Sequence, residues 1–424
     1  MSKYFHSVTL DADSCCGCTN CLKRCPTEAI RVHDGKAKIL SERCIDCGEC
    51  IRICPHHAKK AVSGKLEEII NYKYTVAIPA PALFGQFNNL DNIDIVLTGL
   101  KMLGFDDIFE VSRAAELVSE ATRKLMKENK LKKPIISSAC PAVVRMIKIR
   151  FPELCENVMP LLAPIEVAAR IAKREAMEKT GLPREQIGVF FITPCPAKVT
   201  EINSPNYTEK SACDGAIAIS KIYPELTTVM DHLTEVEPLG KSGLIGIGWA
   251  TSGGESAAML GEKYLAADGM ENVIRVLEEL EDDHIHDVDF IELNACSGGC
   301  VGGVLTVENP YVAQARIQNL RKFLPVSLNH INGNDIDDMM WENELAFDAE
   351  IFRLDKDISK AMTMMSEMEE ILKGFPGLDC GSCGAPTCRA MAEDIVRGKA
   401  KESDCIFKLR AKIQSVYDQL KGTL

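Results

Sequence analysis

The chain of 424 residues has no apolar run long enough to cross a bilayer, and Met1–Leu10 is too polar for the apolar stretch of a secretion signal. No membrane partner is expected, and the expected compartment is cytoplasmic. Basic residues are in deficit. Lys and Arg number 49 against 61 Asp and Glu, a net charge of -12. The chain therefore lacks the cation excess that neutralises phosphates, and no nucleic-acid partner is expected. Histidine is scarce as well: His56, His57, His284 and His286 lie in polar surroundings without ligand spacing and read as surface residues. The acidic stretch from Glu278 to Asp283 reads as a solvated helix end. No kinase, PAS-like or DNA-binding segment is visible to serve as an output.

What the chain has in excess is cysteine, 19 in all. Without a secretion signal these are expected as reduced thiols open to metal rather than as disulfides. Cys15, Cys18, Cys21 and Cys25-Pro26 follow the C-x2-C-x2-C-x3-C-P pattern, and Cys44, Cys47, Cys50 and Cys54-Pro55 repeat it. In such tandem runs three cysteines hold one 4Fe-4S cubane and the fourth crosses to the other, so Cys25 and Cys54 are expected to swap. Zinc, the competing reading, is usually held by two close pairs of ligands. Cys16 falls outside the spacing. A third run, Cys380, Cys383, Cys388 and Cys405, lies among glycines that let backbone amides approach sulfur. It resembles the small 4Fe-4S domain of corrinoid iron-sulfur proteins and of certain electron-transport subunits, and a third accessory cubane is expected over a zinc knuckle.

Length argues for two or three domains. Residues 1–63 carry the tandem runs, with a charged helix-like link from Lys65 to Tyr74. Residues 64–345 alternate apolar strands and amphipathic helices, the pattern of a parallel α/β core. Expected strands are Thr75 to Pro79, Pro134 to Ser138, Gly188 to Thr193, Ala216 to Ser220 and Val288 to Asn294. Expected helices include Ala142 to Arg150, Pro164 to Lys179, Glu255 to Ala266, Met270 to Glu281 and Tyr311 to Leu324. Residues 346–424 open on a long charged helix whose Met362, Met364, Met365 and Met368 read as packing or partner contact, then close on the third run. Cys140, Cys195 and Cys296 are each expected one or two residues beyond a strand, where open α/β sheets gather ligands. Cys155 and Cys213 stand outside any motif and read as packing thiols.

The segments around these cysteines are Ser138-Ala139-Cys140-Pro141, then Thr193-Pro194-Cys195-Pro196-Ala197-Lys198-Val199-Thr200-Glu201, then Glu292-Leu293-Asn294-Ala295-Cys296-Ser297-Gly298-Gly299-Cys300. They resemble the three signatures of the FeFe-hydrogenases. The likeness extends to Ala80-Pro81-Ala82, Gly104-Phe105-Asp106-Asp107, Phe151-Pro152-Glu153-Leu154 and Trp249-Ala250-Thr251-Ser252-Gly253-Gly254, covering nearly the whole chain except the C-terminal tail. The resemblance implies a two-lobed parallel-sheet hydrogenase core with an N-terminal ferredoxin-like two-cluster domain and a small helical C-terminal iron-sulfur domain. It also implies an H-cluster. A 4Fe-4S cubane would be held by Cys140, Cys195, Cys296 and Cys300, and Cys300 would bridge to a two-iron subsite carrying CO, cyanide and a dithiolate. Ala80, Pro81, Ala82 and Ser252 are expected around that cofactor. Soft thiolates suit such centres, and Gly298, Gly299, Gly302 and Gly303 are expected to leave room around Cys300. Lys198 is expected to donate to an anionic ligand, with Glu201 orienting or balancing it.

Departures from the family pattern shape the functional expectation. Ala139 stands where catalytic members carry a proton-relaying cysteine, and losing such a group costs on the order of 10²–10⁴ in rate. Thr193 and Asn294 replace two methionines and are expected to shift redox potentials through hydrogen bonds. Met159-Pro160-Leu161-Leu162 lacks the serine of the usual proton path. The pattern resembles the sensory branch with a four-cysteine tail. The expectation is slow, reversible H2 oxidation and proton reduction, with H2 and protons as substrates and a redox or signalling protein as partner, in a possible homo-oligomer. Two alternatives are a non-enzymatic iron-sulfur electron carrier or scaffold lacking the two-iron subsite, and a full-rate hydrogenase with another proton route through Glu120 or Glu255. Both glutamates read more simply as solvated helix residues.

Overall fold

The computed structural model describes residues 4–332, 336–345 and 351–421, in two compact units. One unit holds residues 8–44, 49–60 and the described residues from 351 onward. Its strands are β1 (Val8–Leu10), β2 (Ile30–His33), β3 (Lys36–Ile39) and β4 (Lys59–Ala61), with β1 beside β4 and β2 antiparallel to β3. Short helices at Asn20–Lys23 and Glu49–Arg52 lie within the cysteine runs and hold Cys21 and Cys50. The C-terminal segment is joined to this sheet by specific bonds. Val32 N donates to Gly384 O at 2.8 Å, Arg31 pairs with Asp394 at 2.5 Å, and Arg43 pairs with Glu393 at 2.5 Å. At Gly384, φ is +86 and a Cβ would run into the Val32 carbonyl, so only glycine permits this approach.

The other unit is the α/β core. A four-stranded sheet runs in the order β6-β5-β8-β9, from β5 (Tyr74–Pro79), β6 (Asp107–Ile108), β8 (Ile187–Thr193) and β9 (Gly215–Ala218). A second sheet, β10-β11-β7, is built from β7 (Ile135–Ile136), β10 (Tyr264–Asp268) and β11 (Phe290–Asn294). Every pairing in both is parallel, giving the two lobes. All seven residues of β8 are buried, as a central parallel strand covered on both faces requires. Helix Pro164–Thr180 starts with proline at its first turn and stops at Gly181, where φ is 69 and the N–H closes on Met177.

Several sequence expectations require correction. The helix expected over Glu255 to Ala266 ends at Ala258; Leu260 turns left-handed at φ 55, and β10 then pairs with β11. The strand expected to reach Ser220 stops at Ala218, because Ile219 already begins the helix Ile219–Met230. The Pro134 to Ser138 strand shortens to two residues, the Ser138 hydroxyl turning away to the Leu161 carbonyl at 2.7 Å. The link after Lys65 is a 3-10 turn, Leu66–Asn71, and Tyr74 already belongs to β5. The long C-terminal helix is Ile358–Lys373, and the expected boundary at 345/346 runs into 346–350, outside the described residues. Of its four methionines only Met368 is buried; Met362 is 68% exposed and Met365 is also exposed. A further helix, Ile406–Lys421, follows the last cysteine.

Candidate metal centre

Three of the core's chain crossings end in the cysteine segments. Cys195 and Cys296 lie two residues beyond β8 and β11, whereas Cys140 lies four beyond β7, further than expected. Proline after the first two cysteines starts a helix at once, Pro141–Arg150 and Pro196–Asn203, so each thiol sits at a helix entrance. Cys140, Cys195, Cys296 and Cys300 line one cavity, with an empty volume of about 880 Å³ counted out to its mouth. Ala80, Pro81, Ala139, Lys198, Trp249, Asn294 and Cys47 also face it. Ala82 is buried behind the wall, and Ser252 meets the site through its backbone, its N–H donating to the Gly298 carbonyl at 3.1 Å.

The glycines around Cys300 do something other than leave room. A Cβ on Gly299 would strike Ser252 N, on Gly302 the Ser297 carbonyl, and on Gly303 the Pro194 carbonyl. They let three loops pack backbone to backbone, and this fixes where Cys296 and Cys300 point. Thr193 acts in the same way: its hydroxyl accepts from Cys195 N at 3.1 Å and donates to Cys195 O at 3.2 Å, bracing the ligand loop.

Electrostatics separates these groups. Burial pushes the Cys195 thiol up to about 12, with the Cys140 charge adding to it and Lys198 opposing. Burial likewise raises Cys300 against the pull of Lys198. At Lys198 burial works to lower the ammonium's pKa, but Cys300, Cys195 and Cys140 overcome it and hold it raised. Its Nζ reaches the Ala139 carbonyl at 3.4 Å. Glu201 accepts from Asn206 N at 2.8 Å and from its Nδ2 at 2.5 Å. Its charged neighbours are Arg145 and Lys148, and it shares with Lys198 a smaller cavity that Tyr207 also lines.

Two carboxylates on the cavity wall change the sequence reading. Glu255, expected as solvated, is only 7% exposed and accepts the Ser137 hydroxyl at 2.7 and 2.8 Å. Ser137 Oγ in turn accepts from Ala139 N at 3.1 Å. Burial and then the Glu292 charge push Glu255 up to about 8, against Ser137 and Lys198. Glu292 is also buried and raised by that burial; it accepts from Gly253 N, Ser256 N and Asn294 Nδ2 at 3.0, 2.8 and 2.7 Å. Asn294 therefore ties the ligand loop to this carboxylate. Glu120 is engaged elsewhere, with Lys124 and His330. Glu292 and Trp249 lie inside the sequence motifs, but nothing in the motifs themselves assigns them a role. An acidic residue two positions before Asn294 on a buried strand was the available signal.

In the other unit, Ala29 N donates to Cys25 Sγ at 3.2 Å and Ala58 N to Cys54 Sγ at 3.3 Å. The charges of Cys18, Cys54 and Cys15 act on Cys21, and those of Cys25 and Cys21 act on Cys50, so thiols of both runs lie close together. Cys380, Cys383, Cys388 and Cys405 line a common pocket with an empty volume of about 340 Å³. There the Ser382 hydroxyl and N–H hold Cys380 below the usual thiol range, and Asp379 accepts from Cys388 N at 2.6 Å. All nineteen cysteines are free of disulfides. Cys16 is exposed, Cys213 buried and Cys155 half-buried. The core set of four thiols, faced by Lys198, and the C-terminal set of four each line one cavity and fit iron-sulfur groups in donor type and placement.

Comparison with known proteins agrees. A model described as the iron only hydrogenase large subunit, C-terminal domain, matches residues 73–260 and 254–304. A 4Fe-4S dicluster domain matches 7–55, and an Fe-S cluster model matches 375–407. The NADP-reducing hydrogenase subunit HndD of Solidesulfovibrio fructosivorans is 27% identical over 255 residues, 48% of this chain and 44% of that protein. Iron hydrogenase 1 of Clostridium pasteurianum is 25% identical over 284 residues, 54% and 50% of the two. The chain thus spans about half the length of these curated relatives. A solved FeFe-hydrogenase studied for oxygen inactivation of its H cluster superposes with a TM-score of 0.52 at 16% identity, covering 66% of this chain and 98% of that one. At such identity the likeness speaks to fold alone. Among the described residues no helix is long and apolar enough to cross a membrane.

Proposed function

Since the chain belongs to the FeFe-hydrogenase family, we propose that it interconverts H2 with two protons and two electrons, slowly, as a sensor of hydrogen or redox state. The observation that carries this reading is the lining of one cavity by Cys140, Cys195, Cys296, Cys300 and Lys198. These four thiolates would hold the H-cluster. When bound, that group supplies the metal chemistry of H2 and the electron acceptor. Lys198 sets a cation against the anionic side of the site, and Trp249, Ala80 and Pro81 keep part of the wall apolar.

Residues 1–63 would carry two accessory 4Fe-4S clusters, residues 64–345 the H-cluster and residues 346–424 a third accessory cluster. Electrons would leave through these clusters toward a redox or signalling protein. Ala139 has no proton to give, which supports low turnover. Infrared spectroscopy of the matured protein tests the reading: bands of metal-bound CO and cyanide are expected, and cubanes without them would favour the electron carrier or scaffold instead.

One observation favours a second reading, a full-rate enzyme with a different proton route. The carboxyl of Glu255 lies on the cavity wall, bonded to Ser137 and close in charge to Glu292. A proton held at a Glu255 carboxyl oxygen has the Ser137 hydroxyl as its neighbour. Turnover with excess electron donor separates the readings, since a sensor stays slow when donor is abundant.

A further inference from the structure

The two N-terminal cysteine runs end alike, Cys25-Pro26-Thr27-Glu28-Ala29-Ile30 and Cys54-Pro55-His56-His57-Ala58-Lys59. The backbones match as well. Glu28 and His57 both take positive φ, 52 and 49, and Ala29 N and Ala58 N each reach the preceding cysteine sulfur. At the last position the repeat breaks: Ile30 is 2% exposed, as an apolar core residue should be, and Lys59, on β4, is 3% exposed. Its Nζ is fully buried and has no hydrogen-bond partner. A lone buried ammonium is strongly unfavourable unless negative charge lies beside it. The groups on which its charge acts are thiols of both sets: Cys21 and Cys54 from one, Cys25 and Cys50 from the other.

We propose that Lys59 is the shared counter-charge of the two N-terminal clusters and sets both of their reduction potentials. The inference rests on the iron-sulfur reading of these runs. A cubane that takes up one electron would become more negative by one charge, so a fixed cation acting on thiols of both sets would stabilise the reduced form of both. Burial keeps water from screening it. Ile30, at the matching place in the first run, offers no such charge, so the arrangement is one-sided within a symmetric frame.

The test uses the full chain, purified and reconstituted anaerobically, with iron and sulfide analysis and a potentiometric titration followed by electron paramagnetic resonance. In Lys59→Met, iron content is expected to hold. Both N-terminal signals should require lower potentials, with at least a tenfold fall in the reduced-to-oxidised ratio at fixed potential, about 59 mV for a one-electron couple. The cluster at Cys380, Cys383, Cys388 and Cys405 should not move, and Lys59→Arg should restore the two potentials. Full iron content with unmoved potentials in Lys59→Met overturns the proposal. If Lys59→Met and Lys59→Ile both lose the N-terminal clusters while Lys59→Arg keeps them, the need for charge stands. Loss in Lys59→Arg too would make the residue a packing element and overturn it. Iron content unchanged by removing Cys21 and Cys50 would instead overturn the iron-sulfur reading beneath it.

Discussion

The Ser137 hydroxyl donates to the Glu255 carboxylate at 2.7 and 2.8 Å, bracing a buried acid that lies on the wall of the four-cysteine cavity. From the first cysteine segment Ala139 and Cys140 face that cavity, and alanine carries nothing that titrates. Glu255 and the first cysteine ligand thus reach the cavity from two separate parts of the chain.

Glu255→Gln is expected to lower H2 production by on the order of 10²-fold or more, the usual loss for a positioned acid-base group. Wild-type production should fall above about pH 8, where Glu255 loses its proton, and this limb should disappear in the variant. Rates measured from pH 6 to 9 decide it; an unchanged profile would exclude Glu255 from the route.

The same residue makes a stability prediction. Burial raises its folded-state pKa from 4.5 to about 8, so the native protein holds an extra proton between those values. Stability of the metal-free protein should therefore be greatest toward pH 4.5 as far as this group is concerned, and decline as pH rises to 8, by about 1.4 kcal/mol per unit. Urea unfolding across that window should show a flatter slope for Glu255→Gln.

Ala139→Cys should raise H2 production at least tenfold if the missing thiol limits the rate, with the infrared bands of the matured protein retained. Unchanged production with excess donor would show that something else is slow.

Removing the Cys300 thiol should separate holding from assembly. Cys300→Ala is expected to abolish the CO and cyanide bands and all H2 turnover while leaving the N-terminal and C-terminal clusters detectable by electron paramagnetic resonance. Bands that survive the substitution would assign the two-iron subsite to another ligand.

Gly384→Ala should destabilise the protein by roughly 1–3 kcal/mol or more, since φ is +86 and the Val32 carbonyl occupies the space a methyl needs. Gly261→Ala, with nothing within 4 Å, should be close to neutral. Denaturation midpoints of the two variants give the comparison.

How much of this was legible in the sequence depended on the kind of signal. Cysteine spacing is local and chemically restrictive, so Cys140, Cys195, Cys296 and Cys300 are legible from their motifs alone. Buried parallel strands such as β8 announce themselves by an unbroken apolar run. Glu255 was different. It follows two glycines and precedes a serine and two alanines, which reads as a solvated helix start; its burial comes from the Ser137 and Glu292 segments, 118 and 37 positions away in sequence, which no local pattern reports. β10 was missed for a similar reason: Tyr264–Asp268 is partly exposed and has no clear alternation, and pairing with β11 makes it a strand. The Gly299, Gly302 and Gly303 positions were noticed, but their purpose was legible only once the facing carbonyls and amides were in view.

The bonds joining β2 to the C-terminal segment have a practical consequence for dissecting this chain. Arg31 and Arg43 are almost wholly enclosed, and their carboxylate partners Asp394 and Glu393 come from the far end of the sequence. A fragment cut short before that end would keep both guanidiniums and lose both anions, and would leave the Val32 amide without its acceptor. The first ferredoxin-like stretch should thus be studied with its distant companion attached, because expressed alone it would carry two orphaned cations where its fold is tightest.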